Sequence, residues 1–399
     1  MNLCKKVHNA SYYASVNDIP KDIWNTLGCT SNVYFNPSYL EAIAAHHPTI
    51  DFWYVVLFND AQKPIAFATI QVVNFYLDSV QNGLQSTIEK IKCIGRKLGI
   101  ISPEKPFKIL TCGNTFVSGE HGIFIKEDQD KQKVIKELAK SVVQLANTEK
   151  HFDYKVSGFM LKDFVRESLF ISDELLEYKY HSFNVEPNML LQIDSDWESF
   201  DGYLAAMKTK FRVKAKKAME LSFPLEVRVI NAENLETYLP QMQQLYKNVS
   251  SKAGFNLGVF NLETYGSLLQ NLGEDYIIKG YFLKNKMVGF LSAMVNQNDL
   301  DAHFVGIDYK YNREFAIYQR MLYDYIHIAI ERKLDEINFG RTASEIKSSV
   351  GATPQELTIY LRHKSHIPNK ILSFFIHKIE PTPFKQKHPF KVKNLVAQT

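Results

Sequence analysis

Asp301 and His303 are the pair of residues whose types and spacing are best suited to acid–base chemistry. They lie two positions apart in residues 300–308, where apolar and polar side chains alternate. That alternation predicts a strand with both side chains on one face, about 7 Å apart along the chain. A carboxylate and an imidazole so placed could hold an amine and remove its proton. The alternative is a half-buried His303 that is hydrogen-bonded within the sheet.

A second group of polar residues lies in a predicted loop further along the chain. Arg341 and Lys347 supply two cations there, and Thr342 and Ser344 add two hydroxyls. Cations in a loop suit a developing oxyanion or a phosphate group, so we expect these residues to bind substrate. In the alternative interpretation, Arg341 pairs with a carboxylate such as Glu345 and only fixes the loop.

A dense run of cations places six basic side chains within ten residues, with no acidic residue among them: Lys208, Lys210, Arg212, Lys214, Lys216 and Lys217. The intervening apolar residues recur at helical spacing, which predicts a basic helix with one packed face. Like charges at this density repel one another unless an anion is present. With Lys210, Arg212 and Lys214 as candidate contacts, the run predicts a phosphate-bearing ligand: a nucleotide-linked precursor, the acidic surface of an acyl carrier protein, or a tRNA. A solvated basic face is the simpler alternative.

Glu120 and His121 form a second-tier candidate site between two glycines, Gly119 and Gly122. Their spacing matches no metal-binding motif, and the glycines indicate a turn. The four cysteines of the chain are scattered without paired spacing. We therefore expect no metal site and no disulfide framework.

The elements that would position these side chains follow the order hairpin, strand, helix and strand. Residues 276–283 and 287–295 are β-branched and aromatic runs around a short polar loop, which predicts an antiparallel pair. Residues 315–332 carry apolar side chains at helical spacing, and residues 337–339 predict a short buried strand. A strand, helix, strand order implies a parallel crossover. Open α/β sheets bind their ligands beyond the carboxyl ends of such strands.

A similar order of elements is predicted in the first half of the chain. A hairpin at residues 52–73 precedes a strand, an amphipathic helix at 132–146 and a further strand. The sequence therefore predicts an α/β (α+β) protein of two tandem halves. We place the domains at 1–187 and 188–363, followed by a basic, proline-punctuated tail at 364–399.

The hairpin, strand, long helix and strand of the second half resemble the GNAT superfamily of acyltransferases. The segment 338–341 (Asn, Phe, Gly, Arg), together with Lys347 and Gly351, resembles the corresponding end of its Fem-like, peptidoglycan-biosynthesis branch. The resemblance implies tandem GNAT-like domains with mixed central sheets flanked by helices. It also implies that Lys347 stabilises the reacting carbonyl.

One departure from the GNAT pattern concerns the donor. Typical GNAT enzymes carry a glycine-rich pyrophosphate loop before the long helix, but residues 311–317 contain no glycine. Glycines permit the close approach of backbone to phosphate, so their absence argues against the usual backbone contacts with the CoA pyrophosphate.

The activity implied by the resemblance is transfer of an acyl or aminoacyl group from a thioester or ester donor to an amine, in the synthesis of a cell-envelope precursor, a glycan or a lipid. The donor stays open among acyl-CoA, an acyl carrier protein thioester and aminoacyl-tRNA, with no cofactor held by the chain itself. The acceptor is an amine, with or without a phosphate group. The alternative is a non-catalytic relative that binds an anionic glycan or a lipid headgroup.

Composition is that of a globular protein. The chain has 399 residues, of which 45% are hydrophobic and 23% charged, and its net charge is +4. This length can build two cores, and the mild charge does not by itself indicate nucleic acid. No apolar run approaches the ~18 residues of a membrane span and no signal peptide is evident, so we expect a cytoplasmic protein. The apolar stretch at 369–379 either lies on a membrane surface or docks on the second domain.

Overall fold

The structure, a computed structural model, describes residues 5–7, 9–75, 107–148, 156–252, 258–376, 379 and 381–391. Two compact units divide the chain. The first comprises residues 1–186, 253–264 and 356–382, and the second comprises 187–252, 265–355 and 383–399.

The first unit is built on a mixed sheet with helices. Its strands are β1 (Lys5–Val7), β2 (Ala10–Tyr13), β3 (Asp51–Phe58), β4 (Pro64–Phe75), β5 (Phe107–Cys112), β6 (Ile123–Ile125), β7 (Val156–Val165), β8 (His181–Asn184) and β16 (Leu357–His363). The strand order is β1-β2-β3-β4-β5-β7-β16-β8, with β6 paired to β4. Its helices are α1 (Lys21–Leu27), α2 (Pro37–His46), α3 (Lys131–Thr148), α4 (Leu169–Ser172) and α12 (His366–Ile376).

The second unit repeats this architecture with a mixed sheet of its own. Its strands are β9 (Asn188–Gln192), β10 (Leu225–Val229), β11 (Tyr276–Leu283), β12 (Lys286–Asn296), β13 (Asp299–Ile307), β14 (Glu336–Asn338) and β15 (Thr353–Gln355). The strand order is β10-β11-β12-β13-β14-β9-β15. Its helices are α5 (Phe200–Ala206), α6 (Thr209–Ser222), α7 (Leu235–Ser250), α8 (Thr264–Leu272), α9 (Tyr309–Phe315), α10 (Ile317–Glu331) and α11 (Ser344–Ser349).

Both units contain the same core succession of elements. In the first, the β3–β4 hairpin and β5 are antiparallel neighbours, α3 follows, and β7 returns parallel to β5. In the second, the β11–β12 hairpin and β13 are antiparallel, α10 follows, and β14 returns parallel to β13. The predicted fold class, two mixed sheets flanked by helices in tandem, is confirmed.

Helix α10 shows why the sequence pattern was a reliable guide to the core of the second unit. The inward side chains of this helix are each at most 1% exposed: Ile317, Met321, Leu322, Ile326 and Ala329. Their spacing gives one continuous apolar face, and burying that face against the sheet is what stabilises the helix.

The structure differs from the predicted domain limits at the chain's end. Residues 357–363 fall within the predicted second domain, but they form strand β16, which pairs with β7 and β8 in the first sheet. Helix α12 also packs in the first unit, where the Asn369 side chain donates to Lys179 O at 2.9 Å and accepts from His363 N at 2.7 Å. Residues 383–391 belong to the second unit instead. The alternative interpretation of residues 369–379 was docking on the second domain, whereas helix α12 packs in the first unit.

Exposed apolar side chains remain on α12. Ile367 is 71% exposed and Phe374 is 61% exposed. A membrane contact through 369–379 therefore stays a prediction, and residues 377 and 378 lie outside the described part of the chain. Among the helices that the structure describes, none has the length and apolar character required to cross a lipid bilayer.

Candidate functional site

The parallel strands of the second unit separate soon after they meet. Strands β13 and β14 are paired at three positions, from Asp299↔Glu336 to Asp301↔Asn338, after which β14 ends and β13 continues to Ile307. In the first unit the matching parallel pair, β5 and β7, stays paired over the longer run from Lys108 to Cys112, with one register shift after Lys108. The opening beside β13 lies at the carboxyl end of β14, which is where the sequence predicted a ligand.

Asn338 links the two strands at this opening. Its Nδ2 donates to Asp301 Oδ1 at 2.8 Å, and its Oδ1 accepts from Gly340 N at 2.9 Å. The side chain therefore fixes both the Asp301 carboxylate and the start of the loop that follows β14. Sequence reasoning did not include Asn338 among the site residues, although a polar residue that ends a short buried strand is a signal that could have identified it.

The loop at residues 340–343 has an unusual backbone. Gly340, Thr342 and Ala343 all have positive φ angles, of 71°, 67° and 52°. Only glycine adopts this region without penalty, and a β-branched threonine is a particularly poor occupant. The two non-glycine residues cost about 1–3 kcal/mol each, so the surrounding contacts must hold the loop in place.

Lys347 supplies such contacts. Its Nζ donates to Arg341 O at 2.6 Å and to Gly340 O at 3.1 Å, and the residue is 4% exposed. Burial lowers the pKa of the Lys347 ammonium to about 7. A neutral amine has two N–H groups and an ammonium has three. Charged Lys347 thus keeps one donor beyond the two carbonyls that it already contacts.

The other loop residues are arranged around Lys347. Arg341 is half-buried, Thr342 is exposed, and Ser344 is buried as the first residue of α11. Glu345, the proposed alternative partner of Arg341, instead accepts from Lys387 Nζ at 2.6 Å. The structure therefore brings Arg341, Thr342 and Ser344 next to Lys347 in sequence and space, but it does not form the Arg341–Glu345 pair.

The C-terminal strap, residues 384–391, explains how α11 is fixed. Besides the Lys387–Glu345 ion pair, Lys387 N donates to Ser348 Oγ at 3.1 Å. A Cβ on Gly351, whose φ is 110°, would lie 2.3 Å from Phe390 Cε2. Only glycine permits this approach, so the sequence feature noted at Gly351 has a packing reason.

His303 occupies the β13 side of the opening. Its Nδ1 lies 2.8 Å from Tyr276 OH, and the residue is 9% exposed. Burial lowers the pKa of the His303 imidazole to about 3. The ring is therefore neutral at physiological pH and is a weaker base than the near-neutral group that the sequence predicted. The contact with Tyr276 agrees with the alternative interpretation, in which His303 is hydrogen-bonded within the sheet.

A β-bulge next to His303 was not visible in the sequence. Leu291 pairs with Val305 and Ala293 pairs with Ala302, so Ser292 faces two residues of β13, namely His303 and Phe304. The Ser292 hydroxyl replaces the missing ladder bonds, because its Oγ accepts from Phe304 N at 3.0 Å and donates to Phe304 O at 3.2 Å. Bulges are common beside active sites, where they redirect side chains.

Two tyrosines extend the polar network from the bulge into the core. Tyr265 OH lies 2.9 Å from Ser292 Oγ, and Tyr325 OH donates to Ser292 O at 3.0 Å. Both tyrosines come from apolar faces of helices, where sequence patterns predict packing alone. Polar groups in this region therefore come from β11, β12, β13, β14, α8, α10 and the loop with Lys347, and the sequence identified those on β13 and in the loop.

The start of α10 is occupied by the chain's own side chain. Asn312 Oδ1 accepts from Tyr318 N at 2.9 Å, and Ala316 between α9 and α10 has a φ of 48°. Residues 311–317 were expected to lie in the position of a pyrophosphate loop, but residues 309–315 form helix α9, in which the N-cap Asp308 Oδ1 accepts from Lys310 N at 3.1 Å. One amide that could hold a phosphate at this helix end already has a partner.

The basic run forms helix α6. Lys210 and Lys214 are exposed and Arg212 is half-buried. In the described part of the chain, these three side chains form no hydrogen bond or ion pair with the residues of the β13–β14 opening, so their role in substrate binding stays a prediction.

Glu120 and His121 lie in the first unit, after β5. Glu120 accepts from Val165 N at 2.8 Å and from Ser168 Oγ at 3.1 Å, and burial raises the pKa of its carboxyl group. The buried His121 ring stacks on Tyr34 with ring centroids 3.8 Å apart. Burial, followed by the nearby Lys162 charge, lowers the pKa of His121 to about 4. Both side chains serve the packing of this segment, and a catalytic role for them stays a prediction.

Metal ligands do not cluster in the described part of the chain. Within residues 9–75, 107–148, 156–252, 258–376, 379 and 381–391, no group of three or more His, Cys, Asp and Glu side chains is arranged to hold a metal ion.

Comparison with known proteins identifies the fold. No protein-family model matches the chain, and no curated protein matches it in sequence. Solved structures do match. The crystal structure of FemX superposes with a TM-score of 0.53 at 11% identity, covering 86% of this chain and 96% of that chain. A tandem GNAT protein from the clavulanic acid biosynthesis pathway gives a TM-score of 0.50 at 6% identity, covering 90% and 99%. The chain therefore has the tandem GNAT-like, Fem-type acyltransferase fold.

Proposed function

We propose that this chain is an N-acyltransferase, which moves an acyl or aminoacyl group from a thioester or ester donor to an amine. The observation that supports this most is the hydrogen-bond chain from Asp301 through Asn338 to the loop at 340–343, at the point where β13 and β14 separate. It places a carboxylate, a strained loop and a lysine of lowered pKa around one opening.

Asp301 is the proposed contact for the acceptor amine. The amine nitrogen attacks the donor carbonyl carbon, so that a C–N bond forms and the C–S or C–O bond to the carrier breaks. The proton lost by the amine passes to the Asp301 carboxylate and on to the departing thiolate or alkoxide. His303 is assigned a positioning role, because its low pKa leaves it neutral and suited to hydrogen bonding.

Lys347 is the proposed stabiliser of the developing oxyanion. Two of its N–H groups hold the carbonyls of Gly340 and Arg341, and the third belongs only to the charged form. Because the ammonium is 4% exposed, the strained loop has to open for that third N–H to reach a substrate oxygen. Strain at Thr342 and Ala343 lowers the cost of such a movement.

The donor class follows from the start of α10. Since Asn312 already binds the Tyr318 amide, a pyrophosphate at this helix end would have to displace it. We therefore propose a donor whose acyl group is delivered by a larger carrier, an acyl carrier protein or a tRNA, in preference to free acyl-CoA. A cell-envelope precursor, glycan or lipid that bears an amine is the proposed acceptor class.

A screen of donors against amines, with products read by mass, tests the proposal. Acyl-CoA, acyl carrier protein thioesters and aminoacyl-tRNA are each offered with a panel of amines. We expect an amide whose mass equals the acceptor plus the acyl group, formed with a carrier-borne donor. Hydrolysis of the donor at the rate seen without protein, in every combination, would contradict an acyltransferase.

A non-catalytic binding protein is the second candidate. It is favoured by the contacts of Lys347, which are satisfied within the loop, and by the weak basicity of His303. In that case an anionic glycan or a lipid headgroup would bind saturably and no donor would be consumed. The same mass-based screen, run with a binding measurement on each acceptor, separates the two candidates.

A further inference from the structure

The outward face of helix α6 carries charge that its surroundings leave unneutralised. Lys210, Lys214 and Lys217 are exposed, and in the part of the chain that the structure describes their side chains form no hydrogen bond or ion pair. Glu220, in the last turn of the helix, is the acidic residue of α6. The face is therefore strongly positive and available to an external anion.

The inward face of α6 is fixed to the core of the second unit. Ala215, Ala218 and Ser222 are each at most 2% exposed, and Arg320 Nη1 donates to Ser222 Oγ at 3.3 Å. The helix cannot roll to bury its other side without losing these contacts. The outward face of α6 therefore stays exposed to solvent.

Apolar side chains lie among the outward lysines. Val213 is 58% exposed and Leu221 is 39% exposed. Positions 210, 213, 214, 217 and 221 recur at intervals of three and four residues, so these two apolar side chains share one helix face with the three lysines. We call these five residues the basic face. Phe223, directly after the helix, is 87% exposed and adds an aromatic ring at its end.

The first turn of α6 is unfavourable for an isolated helix. It contains no acidic residue, and its N-cap residue Lys208 makes no side-chain capping bond. Cations at a helix N-terminus oppose the helix dipole, whose positive end lies there. A bound anion would relieve both this opposition and the mutual repulsion of the lysines.

We propose that the basic face docks the chain on an anionic lipid surface. The lysines contact lipid phosphates, while Val213, Leu221 and Phe223 enter the boundary between headgroups and acyl chains. Lysine stems can lie along that boundary with their ammonium groups at the phosphates. A nucleic acid fits less well, because the two apolar side chains of the basic face are aliphatic and Phe223 is a single ring beyond the helix, whereas strand binding uses successive stacked bases. This inference concerns where the chain works, and it does not depend on the proposed acyl transfer.

Vesicle co-sedimentation of the full chain tests the inference. Vesicles of phosphatidylcholine are compared with vesicles of phosphatidylcholine and phosphatidylglycerol in equal amounts. We expect binding to the mixed vesicles only, weakened as salt is raised to about 1 M, where the Debye length falls to roughly 3 Å. The triple variant Lys210→Glu, Lys214→Glu, Lys217→Glu is expected to bind the mixed vesicles at least about tenfold more weakly.

A charge-matched control separates the basic face from net charge. Lys63, Lys133 and Lys333 are exposed and lie on other elements, so the variant Lys63→Glu, Lys133→Glu, Lys333→Glu has the same net charge as the test variant. It should bind the mixed vesicles as the wild type does. An equal loss in the control would overturn the proposal, because binding would then follow the charge of the whole molecule.

A second readout reports on the apolar residues. In a Phe223→Trp variant, bromine-labelled phosphatidylglycerol vesicles should quench the added tryptophan fluorescence, relative to the wild type with its three native tryptophans. Binding without quenching would exclude insertion and overturn the lipid proposal. A second outcome would also overturn the lipid proposal. It is tight binding of tRNA whose affinity Leu221→Ser leaves unchanged, together with no binding to anionic vesicles.

Discussion

Asn338 Nδ2 donates a hydrogen bond of 2.8 Å to Asp301 Oδ1 at the last paired position of two parallel strands. The same side chain accepts from Gly340 N, so that one amide group holds a carboxylate on β13 and the loop after β14. Lys347 then binds that loop through Gly340 O and Arg341 O. Hydrogen bonds therefore connect Asp301, which the sequence suggested for acid–base chemistry, to Lys347, which it suggested for oxyanion binding.

Removal of the Asn338 amide should disturb both the site and the fold. We expect Asn338→Ala to lower the free energy of unfolding by about 1–3 kcal/mol, because a buried carboxylate oxygen and a backbone amide lose their partners. Activity should fall with it. Asn298→Ala is the matched control, since Asn298 also donates to a carboxylate, Asp335 Oδ2, but at an exposed turn. Urea unfolding and turnover of both variants check this, and equal effects would argue against a special role for Asn338.

Relief of loop strain should separate stability from activity. Thr342→Gly is expected to raise the free energy of unfolding by about 1 kcal/mol, since glycine accepts the φ of 67° without strain. It should also lower turnover, because strain at this position would no longer lower the cost of opening the loop. Lys284→Gly, at a φ of 58° in the β11–β12 turn, should stabilise similarly and leave turnover unchanged. Thermal unfolding with parallel kinetics measures both. Wild-type turnover in Thr342→Gly would show that the strain has no functional part.

Lys347 should give the stability of the chain a particular pH dependence. Its pKa is about 7 in the folded chain and 10.5 ordinarily, so between these values the unfolded chain binds one more proton than the folded chain. Stability therefore rises with pH in this window by about 1.4 kcal/mol per unit. We expect the difference in unfolding free energy between wild type and Lys347→Met to grow in favour of the wild type from pH 7 to pH 9. A difference that is constant with pH would mean that Lys347 stays charged when folded.

The kinetics of Lys347 variants distinguish oxyanion binding from loop support. If the ammonium contacts the carbonyl oxygen as charge develops, Lys347→Met should lower kcat by roughly a hundredfold with little change in KM. Lys347→Arg should not rescue fully, because a planar guanidinium cannot take the point position of the ammonium. Changes in KM and melting temperature together, without a separate fall in kcat, would assign Lys347 to loop support alone.

Free CoA should bind weakly. The Tyr318 amide at the start of α10 is already bound by Asn312, and no glycine lies between β13 and α10 to admit a pyrophosphate. Calorimetry should therefore give similar, weak affinities for CoA and for pantetheine, which lacks the nucleotide. Tight CoA binding that is lost on removal of the pyrophosphate would contradict this account of the donor.

The sequence was informative where residue type and periodicity are decisive. The hairpins, the crossover and the helix at α10 follow from apolar spacing. Asp301 was chosen because it neighbours His303 in an alternating strand, and Lys347 because of its polar loop and the Fem-like resemblance; the roles of both stay predictions. The Ser292 bulge could not be predicted, because a serine within an apolar strand gives no sign of a register shift. The burial of Lys347 was missed for a similar reason. Its partners are backbone carbonyls, which every residue possesses, and the positive φ angles of the loop that carries them are held by tertiary contacts.

The end of the chain shows a different limit. Proline and lysine suggested a tail after residue 363, yet helix α12 packs in the first unit and the C-terminal strap packs in the second. Phe390 contacts Trp197 and Tyr203, with ring centroids 5.0 and 5.8 Å away. Such long-range pairing depends on which surfaces the rest of the fold leaves open, and local composition does not record it.

Acyl transfer by wild type, Asp301→Asn and Asp299→Asn, measured as amide product by mass in a single turnover, is the most direct test of the account. Asp299 is the first residue of the same strand and pairs with the first residue of β14, away from the point where the two strands separate, so its variant controls for loss of a carboxylate from β13. We predict a new amide with wild type and Asp299→Asn, and at least about a hundredfold less with Asp301→Asn. Equal product from Asp301→Asn, or no amide from wild type with any donor, would contradict it.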